Sequence, residues 1–398
     1  MKYDFDKIYD RRGTNSLKFD FAAERGVPTD VMPLWVADMD FPAPTEITEA
    51  LQKKAAHGIF GYSEPKEDYF AALENWFSAR HGWQTEGRKF VLTCGVVFSL
   101  CALIRALTKR GDAVLICQPV YYPFAASVRD NDRRLVVSKL IGQDGYYTVD
   151  YDDFERKIVE NDVKLFILCN PHNPVGRVWT REELARMGDI CLRHGVLVIS
   201  DEIHSDFVWE GHRHTVFSTV KKEFEAISVI CTAPTKTFNL AGLHIANTYI
   251  YDDGLRRKFL RELDRAGYSQ SNVMGIVACQ TAYTYGAEWL DALKVYLAEN
   301  ISFVQNYLRE HIPEISMRAP EGTYLVWLDF RKFGLADDVL RARMLNEAKL
   351  WLDDGCIFGE GGSGFERINV ACPRSVLAEA LRRIEKTFGN LPRKGENI

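Results

Sequence analysis

Residues 165–176 read LFILCNPHNPVG and residues 196–204 read VLVISDEIH, and these two stretches decide the fold. Each begins as a short apolar run and ends at polar or proline-rich residues, a pattern that indicates a buried strand. The amphipathic segment between them, residues 181–194, predicts a helix, and Thr180 with Glu183 supplies a capping-box start. A strand, a helix and a second strand in this order predict a parallel pair in an α/β sheet.

The same alternation continues in both directions along the chain. Further strands are predicted at residues 90–93, 113–117, 135–140, 227–231 and 245–251, with helices at 99–109 and 151–160. We therefore expect an α/β fold whose large domain holds a mostly parallel, seven-stranded sheet covered on both faces. Polar, glycine or proline residues follow most of these strands. Because ligands of open α/β sheets bind outside the carboxyl ends of the strands, the sequence predicts a site at that edge.

The two ends of the chain differ from this central part. Residues up to 45 look irregular, whereas residues 288–311 and 337–351 predict long helices, with strand signals at 322–329 and 367–370. We expect residues 47–285 to form the large domain. Residues 1–46 together with 286–398 are expected to form a smaller α+β domain with an N-terminal arm.

Composition narrows the classes of function. The 398 residues carry 50 Lys and Arg against 55 Asp and Glu, so the net charge is −5 and we expect neither a nucleic-acid nor a membrane partner. The nine cysteines are odd in number and lack a C-x-x-C pair, which indicates reduced thiols in the cytoplasm and no zinc site. The charged N-terminus is not typical of a signal peptide, and no apolar run is long enough to span a membrane.

Two local motifs favour ordinary structural explanations. Residues 359–364, GEGGSG, match the spacing of a nicotinamide-nucleotide loop, but the strand-like FERINV follows where that site needs a helix. We expect a mobile loop that leads into a strand, and only this spacing supports an oxidoreductase. His212 and His214 have no carboxylate or cysteine in metal-ligand spacing, so we expect no metal site there.

Three residues that follow different strands carry a specific chemistry. Each could have an ordinary structural role: Asn173 as a turn residue, Asp201 as a helix cap and Lys236 as a surface cation. Together they match the needs of pyridoxal phosphate, which uses a lysine for its Schiff base, an acid at the pyridine nitrogen and a donor at the phenolate oxygen.

The motifs around these residues resemble a known family. NPHNPVG (170–176), SDEIH (200–204) and TAPTKTFNLAG (232–242) resemble the class I/II aminotransferase superfamily, whose fold is the fold type I of pyridoxal-phosphate-dependent transferases. One branch is especially similar, the carbon–sulfur lyases of the cystathionine β-lyase and cystalysin (MalY/PatB) type. The segments that carry this similarity are PLWVADMDF (33–41), FGYS (60–63), PVYYPF (119–124), NPVGRVW (173–179), GTYLVWLDF (322–330) and GFERINV (364–370).

The resemblance implies roles for individual residues around the cofactor. Lys236 would hold pyridoxal phosphate and then move the Cα proton of the substrate. Asp201 would contact the pyridine nitrogen and Asn173 the phenolate oxygen. His204 stands where many relatives have a tyrosine with that second role, and Tyr121 matches the aromatic residue that stacks on the ring and takes part in catalysis.

The resemblance also implies the substrate side and a dimer. Arg367 matches the arginine that grips the substrate carboxylate, with Ala37, Asp38 and Tyr122 lining the substrate. Tyr62 corresponds to a catalytic tyrosine that reaches the phosphate of the neighbouring subunit, which implies a homodimer with its active site at the interface.

The predicted phosphate site departs from the superfamily pattern. A serine three residues before the lysine and an arginine eight residues after it are replaced here by Ala233 and His244. Backbone N–H groups at the start of a helix can still bind a dianion, with a hydroxyl from a threonine beside the lysine. The residues expected to do so are Gly95, Val96, Val97 and Thr235.

The family resemblance leaves a leading function and two alternatives. The leading function is β-elimination from cystathionine or another cysteine S-conjugate, which gives a thiol, pyruvate and ammonia. An aminotransferase shares the first steps, so residues alone do not separate the two. A non-catalytic regulatory protein on the same fold is the third reading, and the retained Lys236, Asp201, Asn173 and Arg367 argue against it.

Overall fold

A seven-stranded sheet forms the centre of the computed structural model, which describes residues 3–393. In spatial order its strands are Phe90–Thr93, Ala246–Ile250, Ser228–Thr232, Leu197–Asp201, Val163–Cys169, Ala113–Gln118 and Arg134–Lys139. Ala246–Ile250 runs antiparallel to both of its neighbours, and the remaining pairs are parallel. The predicted mostly parallel, seven-stranded sheet is therefore confirmed, with each strand within two residues of its predicted limits.

Helices cover this sheet and continue beyond it. They span Thr45–His57, Glu67–His81, Val96–Leu107, Pro123–Arg129, Tyr151–Asn161, Arg181–Arg193, Pro234–Thr237, Asp253–Arg265, Val273–Tyr285, Ala287–His311, Asp337–Asn346 and Arg374–Phe388. The capping box of the sixth helix is confirmed, because Thr180 Oγ1 accepts from the Glu183 N–H and the Glu183 carboxylate accepts from the Thr180 N–H.

The core lies on both faces of the central sheet. Every residue of Ala113–Gln118 and Ser228–Thr232 is buried, as expected for strands that have helices above and below them. Large aromatic side chains, including Tyr69, Trp83 and Phe166, fill the cluster that continues towards the C-terminal part of the chain. The two faces hold separate apolar clusters, so the sheet is a rigid platform for residues at its edge.

Smaller sheets join the N-terminal segment to the C-terminal part of the chain. Leu325–Asp329, Phe365–Asn369 and Asp353–Asp354 form an antiparallel sheet, Met32–Pro33 pairs in parallel with Leu350–Trp351, and Ile141–Gln143 pairs with Tyr146–Thr148. The division of the chain at residues 47 and 285 stays a prediction. The ends of the predicted small domain, residues 1–2 and 394–398, lie outside the described residues.

One predicted helix is wrong at its end. The helix that starts at Asp337 stops at Asn346 and does not reach residue 351. The chain turns at Lys349, whose φ is +55°, and Leu350–Trp351 becomes a strand. The cause is non-local, because the strand pairs with Met32–Pro33 and the ring of Trp351 stacks on Trp35 at 4.5 Å.

Candidate active site

A cavity of about 460 Å³ lies at the carboxyl ends of the central strands. It brings together most of the residues singled out in the sequence, and those in its wall are Ala37, Gly95, Val96, Val97, Tyr121, Tyr122, Asn173, Asp201, His204, Thr235, Lys236 and Arg367. Asp38 and Tyr62 are not part of this wall. The site therefore forms where parallel-sheet topology places it.

Lys236 enters the cavity from a one-turn helix, Pro234–Thr237, that follows a central strand directly. Its Nζ donates a hydrogen bond to the Ala37 carbonyl at 3.2 Å. Burial, reinforced by the positive charge of Arg367, lowers the pKa of Lys236 to about 8, against the opposing charges of Asp38 and Asp201. A substantial fraction of the amine is thus neutral near physiological pH, the form that can act as a nucleophile or base.

Asp201 is the last residue of a central strand and its carboxyl group is buried. Its Oδ1 accepts a hydrogen bond from the Ile203 N–H at 3.1 Å. Burial raises the pKa of Asp201 to about 7; the negative charge of Glu202 adds to this, while the Ile203 N–H and the charge of Lys236 act in the opposite direction. A cationic hydrogen-bond donor in the cavity would therefore stabilise the ionised form of this buried carboxyl group.

Arg367 connects three parts of the wall. One guanidinium nitrogen, Nη1, donates to Asn173 Oδ1 at 3.0 Å, and Nη2 donates to the Trp35 carbonyl at 2.8 Å and pairs with Asp353. Its Nε is buried and has no hydrogen-bond partner within residues 3–393. The guanidinium in the cavity wall is therefore held in place by Asn173, Trp35 and Asp353.

Two adjacent tyrosines, Tyr121 and Tyr122, also line the cavity. The rings of Tyr121 and Tyr122 are 5.5 Å apart, and the Tyr121 N–H donates to the Asn173 carbonyl at 2.9 Å. Burial raises the pKa of the Tyr121 hydroxyl well above its usual range, so this side chain stays protonated and neutral. Tyr122 is 40% exposed and lies nearer the mouth of the cavity.

His204 is buried in the cavity wall, edge-on to the ring of Tyr324. Burial, together with the positive charges of Lys236 and Arg367, lowers the pKa of His204 to about 3, so the imidazole is neutral. Its Nδ1 is buried without a hydrogen-bond partner among the residues that the structure describes. As a neutral imidazole in the cavity wall, His204 has one donor and one acceptor nitrogen.

Residues 35–37 of the N-terminal segment line the cavity, and hydrogen bonds hold this segment in place. The Asn369 amide donates to the carbonyls of Val36 and Asp38, both at 2.8 Å. The Ala37 carbonyl accepts from the Tyr324 hydroxyl at 2.8 Å as well as from Lys236. The Asp38 carboxylate turns away from the cavity to Arg11 at 2.5 Å, although its charge still acts on Lys236.

The amides predicted to bind a phosphate lie at the start of the 12-residue helix Val96–Leu107. The first N–H groups of a helix have no partner within the helix and favour an anion. Thr235 and His244 line the same cavity, whereas Ala233 is buried below it. The geometry therefore offers backbone N–H groups and one hydroxyl in place of the serine and arginine of the superfamily pattern.

Tyr62 lies outside the cavity of its own chain and is 94% exposed. Asp353, Trp35 and Val36 were not predicted to line the site, yet they do. The sequence signal for Asp353 was its position after an apolar pair, which was read as the end of a helix. Trp35 and Val36 belong to the branch-like segment 33–41, which pointed to the substrate side without assigning them a role.

The fold and these side chains define an enzyme-like site in which a lysine at the carboxyl edge of an α/β sheet faces a buried acid and an arginine. Residues 29–384 match the family of class I and II aminotransferases, and the chain belongs to that family. Cystathionine beta-lyase PatB of Bacillus subtilis is 44% identical over 381 residues, which cover 96% of this chain and 98% of PatB. Protein MalY of Escherichia coli is 36% identical over 95% of this chain and 97% of its own length.

A solved structure extends this similarity to the fold. Cystalysin from Treponema denticola, which contains a pyridoxal 5′-phosphate cofactor, superposes with a TM-score of 0.94 at 37% identity. The match covers 97% of this chain and 99% of cystalysin. The predicted fold type I architecture and the predicted lyase branch are thus confirmed.

Within residues 3–393, no helix combines the length and apolarity that a membrane crossing needs. No group of three or more His, Cys, Asp or Glu side chains is arranged to hold a metal ion in that part of the chain.

Proposed function

We propose that the protein is a pyridoxal-phosphate-dependent lyase that breaks the Cβ–S bond of cysteine S-conjugates such as cystathionine. The products are a thiol, pyruvate and ammonia. The observation that carries the proposal is that Lys236, Asp201, Asn173 and Arg367 line one cavity at the carboxyl edge of the sheet. Support for the lyase branch comes from the similarity to cystathionine beta-lyase PatB and to cystalysin.

The donors and acceptors of the cavity fit this cofactor. Asp201 is buried and forms no ion pair within residues 3–393, so it suits the protonated pyridine nitrogen, and Asn173 suits the phenolate oxygen. Lys236 supplies the amine for covalent attachment, Tyr121 a ring for stacking, and the start of Val96–Leu107 the phosphate-binding amides. Bound pyridoxal phosphate would supply an electron sink for the negative charge that develops at the substrate Cα.

The protein side chains orient the substrate and move its protons. Arg367 binds the α-carboxylate, for which its planar guanidinium in the cavity wall is suited. Lys236, with a pKa of about 8, takes the proton from the substrate Cα. The sulfur leaves from Cβ as a thiolate and takes up the proton that Lys236 removed.

The proposal includes a homodimer in which each subunit completes the site of the other. Tyr62 and Phe60 are strongly exposed and line an open cavity of about 720 Å³ with residues 267–274. Exposed aromatic clusters of this kind mark protein–protein contacts. We propose that Tyr62 contacts the phosphate in the neighbouring subunit, and that the protein acts in the cytoplasm, where its nine cysteines would stay reduced.

The test is a reaction without a co-substrate. Purified protein saturated with pyridoxal phosphate is given L-cystathionine with no 2-oxo acid, and pyruvate and free thiol are counted over many turnovers. Sustained release of both in equal amounts supports the lyase. Product that stops at one equivalent per subunit and resumes on addition of a 2-oxo acid would make the protein an aminotransferase. No turnover by wild type, with a Lys236→Ala variant that retains a binding partner, would favour a regulatory protein.

A further inference from the structure

Asp353 is a carboxylate in the wall of the active-site cavity for which the proposed reaction has no use. It is 6% exposed, and Oδ2 pairs with Arg367 Nη2. No hydrogen bond to its Oδ1 is found among residues 3–393, and that oxygen is not among the fully buried, unpartnered atoms of this region. Asp353 therefore keeps one acceptor oxygen that a ligand can reach from the cavity.

The balance of charges around Arg367 indicates a function for the free oxygen of Asp353. Without substrate, the positive charge of Arg367 balances the negative charge of Asp353. The α-carboxylate of an amino-acid substrate adds a second negative charge to the same guanidinium. Two carboxylates then share one cation in a buried place, which is unfavourable unless one takes up a proton or a second cation arrives.

The surroundings of Asp353 suit a cation that comes with the substrate. Burial raises the pKa of Asp353 to about 6, Asp354 adds to this effect and Arg367 opposes it, so the group is ionised above neutral pH but incompletely stabilised. Tyr122 and Trp35 also line the cavity, and the charge of Asp353 acts on the Tyr122 hydroxyl. The Trp35 ring is already covered by Trp351 and Arg25, so the ring of Tyr122 is the aromatic surface that favours an ammonium group beside this carboxylate.

We propose that Asp353 binds an ammonium group on the sulfur substituent of the substrate and so selects cysteine conjugates with a cationic leaving group. This proposal rests on the proposed lyase function. The ammonium restores charge balance when Arg367 binds the α-carboxylate, and a neutral substituent of the same size does not. Asp353 is then a specificity-determining residue in addition to the partner of Arg367.

The test compares two substrates that differ in one group. S-(2-aminoethyl)-L-cysteine and S-propyl-L-cysteine have the same chain length, but the first ends in an ammonium and the second in a methyl group. We expect wild-type kcat/KM at pH 8 to be at least about tenfold higher for the aminoethyl compound, the effect of one desolvated ion pair. The Asp353→Asn variant should lower this ratio about tenfold, and the ratio that remains reflects the lower thiol pKa of the aminoethyl leaving group.

The matched control is Asp354→Asn on the same short strand. Asp354 is next to Asp353 in sequence, pairs with Arg341 and does not line the cavity, so the ratio should stay at its wild-type value. If Asp353 only holds Arg367 in place, Asp353→Asn lowers kcat/KM equally for both substrates and leaves the ratio unchanged. That result would overturn the proposal. A wild-type ratio of one or less would also overturn the proposal, and this measurement does not depend on the folding of any variant. Failure of every cysteine conjugate to release pyruvate would instead reject the lyase function.

Discussion

Asp353 and Arg367 lie directly opposite each other on neighbouring antiparallel strands and form an ion pair in the wall of the cavity. The strand register places both side chains on one face of the small sheet, and Asn173 and Trp35 accept the other hydrogen bonds of the guanidinium. Arg367 is therefore fixed in position before a substrate arrives, which reduces the entropy lost on binding.

Replacing one member of this pair should destabilise the fold more than replacing both. Arg367→Gln leaves Asp353 as a buried carboxylate without its cation, and we expect a loss of about 3 kcal/mol in the free energy of unfolding. Adding Asp353→Asn should recover a large part of this loss. Urea unfolding of the cofactor-free protein at pH 8 measures the difference. Single effects that simply add in the double variant would contradict a direct coupling.

Asp201 should reduce the stability of the cofactor-free protein in a pH-dependent way. Its folded pKa of about 7 lies above the unfolded value near 3.9, so folding favours the protonated acid. Stability is therefore lost as pH rises from about 4 to about 7. Asp201→Asn resembles the protonated form, and we expect it to raise the Tm of the cofactor-free protein at pH 8 but hardly at pH 4.

The same Asp201→Asn variant should lose activity after loading with cofactor, because an amide does not keep the pyridine nitrogen protonated. Glu202, the next residue in the chain, is the matched control. Unlike Asp201, its carboxylate accepts hydrogen bonds from the Ser200 hydroxyl and the Phe217 N–H. Glu202→Gln should therefore lower the Tm at pH 8. An Asp201→Asn variant that is less stable than wild type at pH 8 would show that the carboxylate is ionised without penalty.

The positions of the strands and of most cavity residues could be predicted because they follow from local patterns. An apolar run that ends in Asp201 or in the turn before Asn173 carries its own signal, and parallel topology brings the ends together. The ion pair of Asp353 with Arg367 could not be predicted, because it depends on the register of a two-residue strand that is too short to show a pattern. The strand Leu350–Trp351 was missed for another reason, since its partner, Met32–Pro33, is distant in the chain.

Lys236 should bind the cofactor covalently at a lower pH than an ordinary lysine does. With a pKa of about 8, about a quarter of the amine is neutral at pH 7.5, compared with about one part in a thousand at 10.5. We expect the rate of covalent uptake of pyridoxal phosphate by cofactor-free protein, followed by visible absorbance, to level off above pH 9. Nα-acetyl-lysine with the same reagent should keep accelerating to pH 10, and identical profiles would reject the lowered pKa.

Tyr62 should act only across a subunit interface, and mixing two inactive variants can test this. Its 94% exposure and distance from its own cavity wall leave it no role in that cavity. We expect Tyr62→Ala and Lys236→Ala each to abolish most β-elimination. After unfolding and refolding together in equal amounts, half of the dimers contain one of each chain, and one of their two sites has both side chains. About a quarter of wild-type activity should therefore return. Tyr285→Ala, which removes another exposed tyrosine outside the cavity, should stay active alone, and absence of recovery in the mixture would place Tyr62 outside the partner's site.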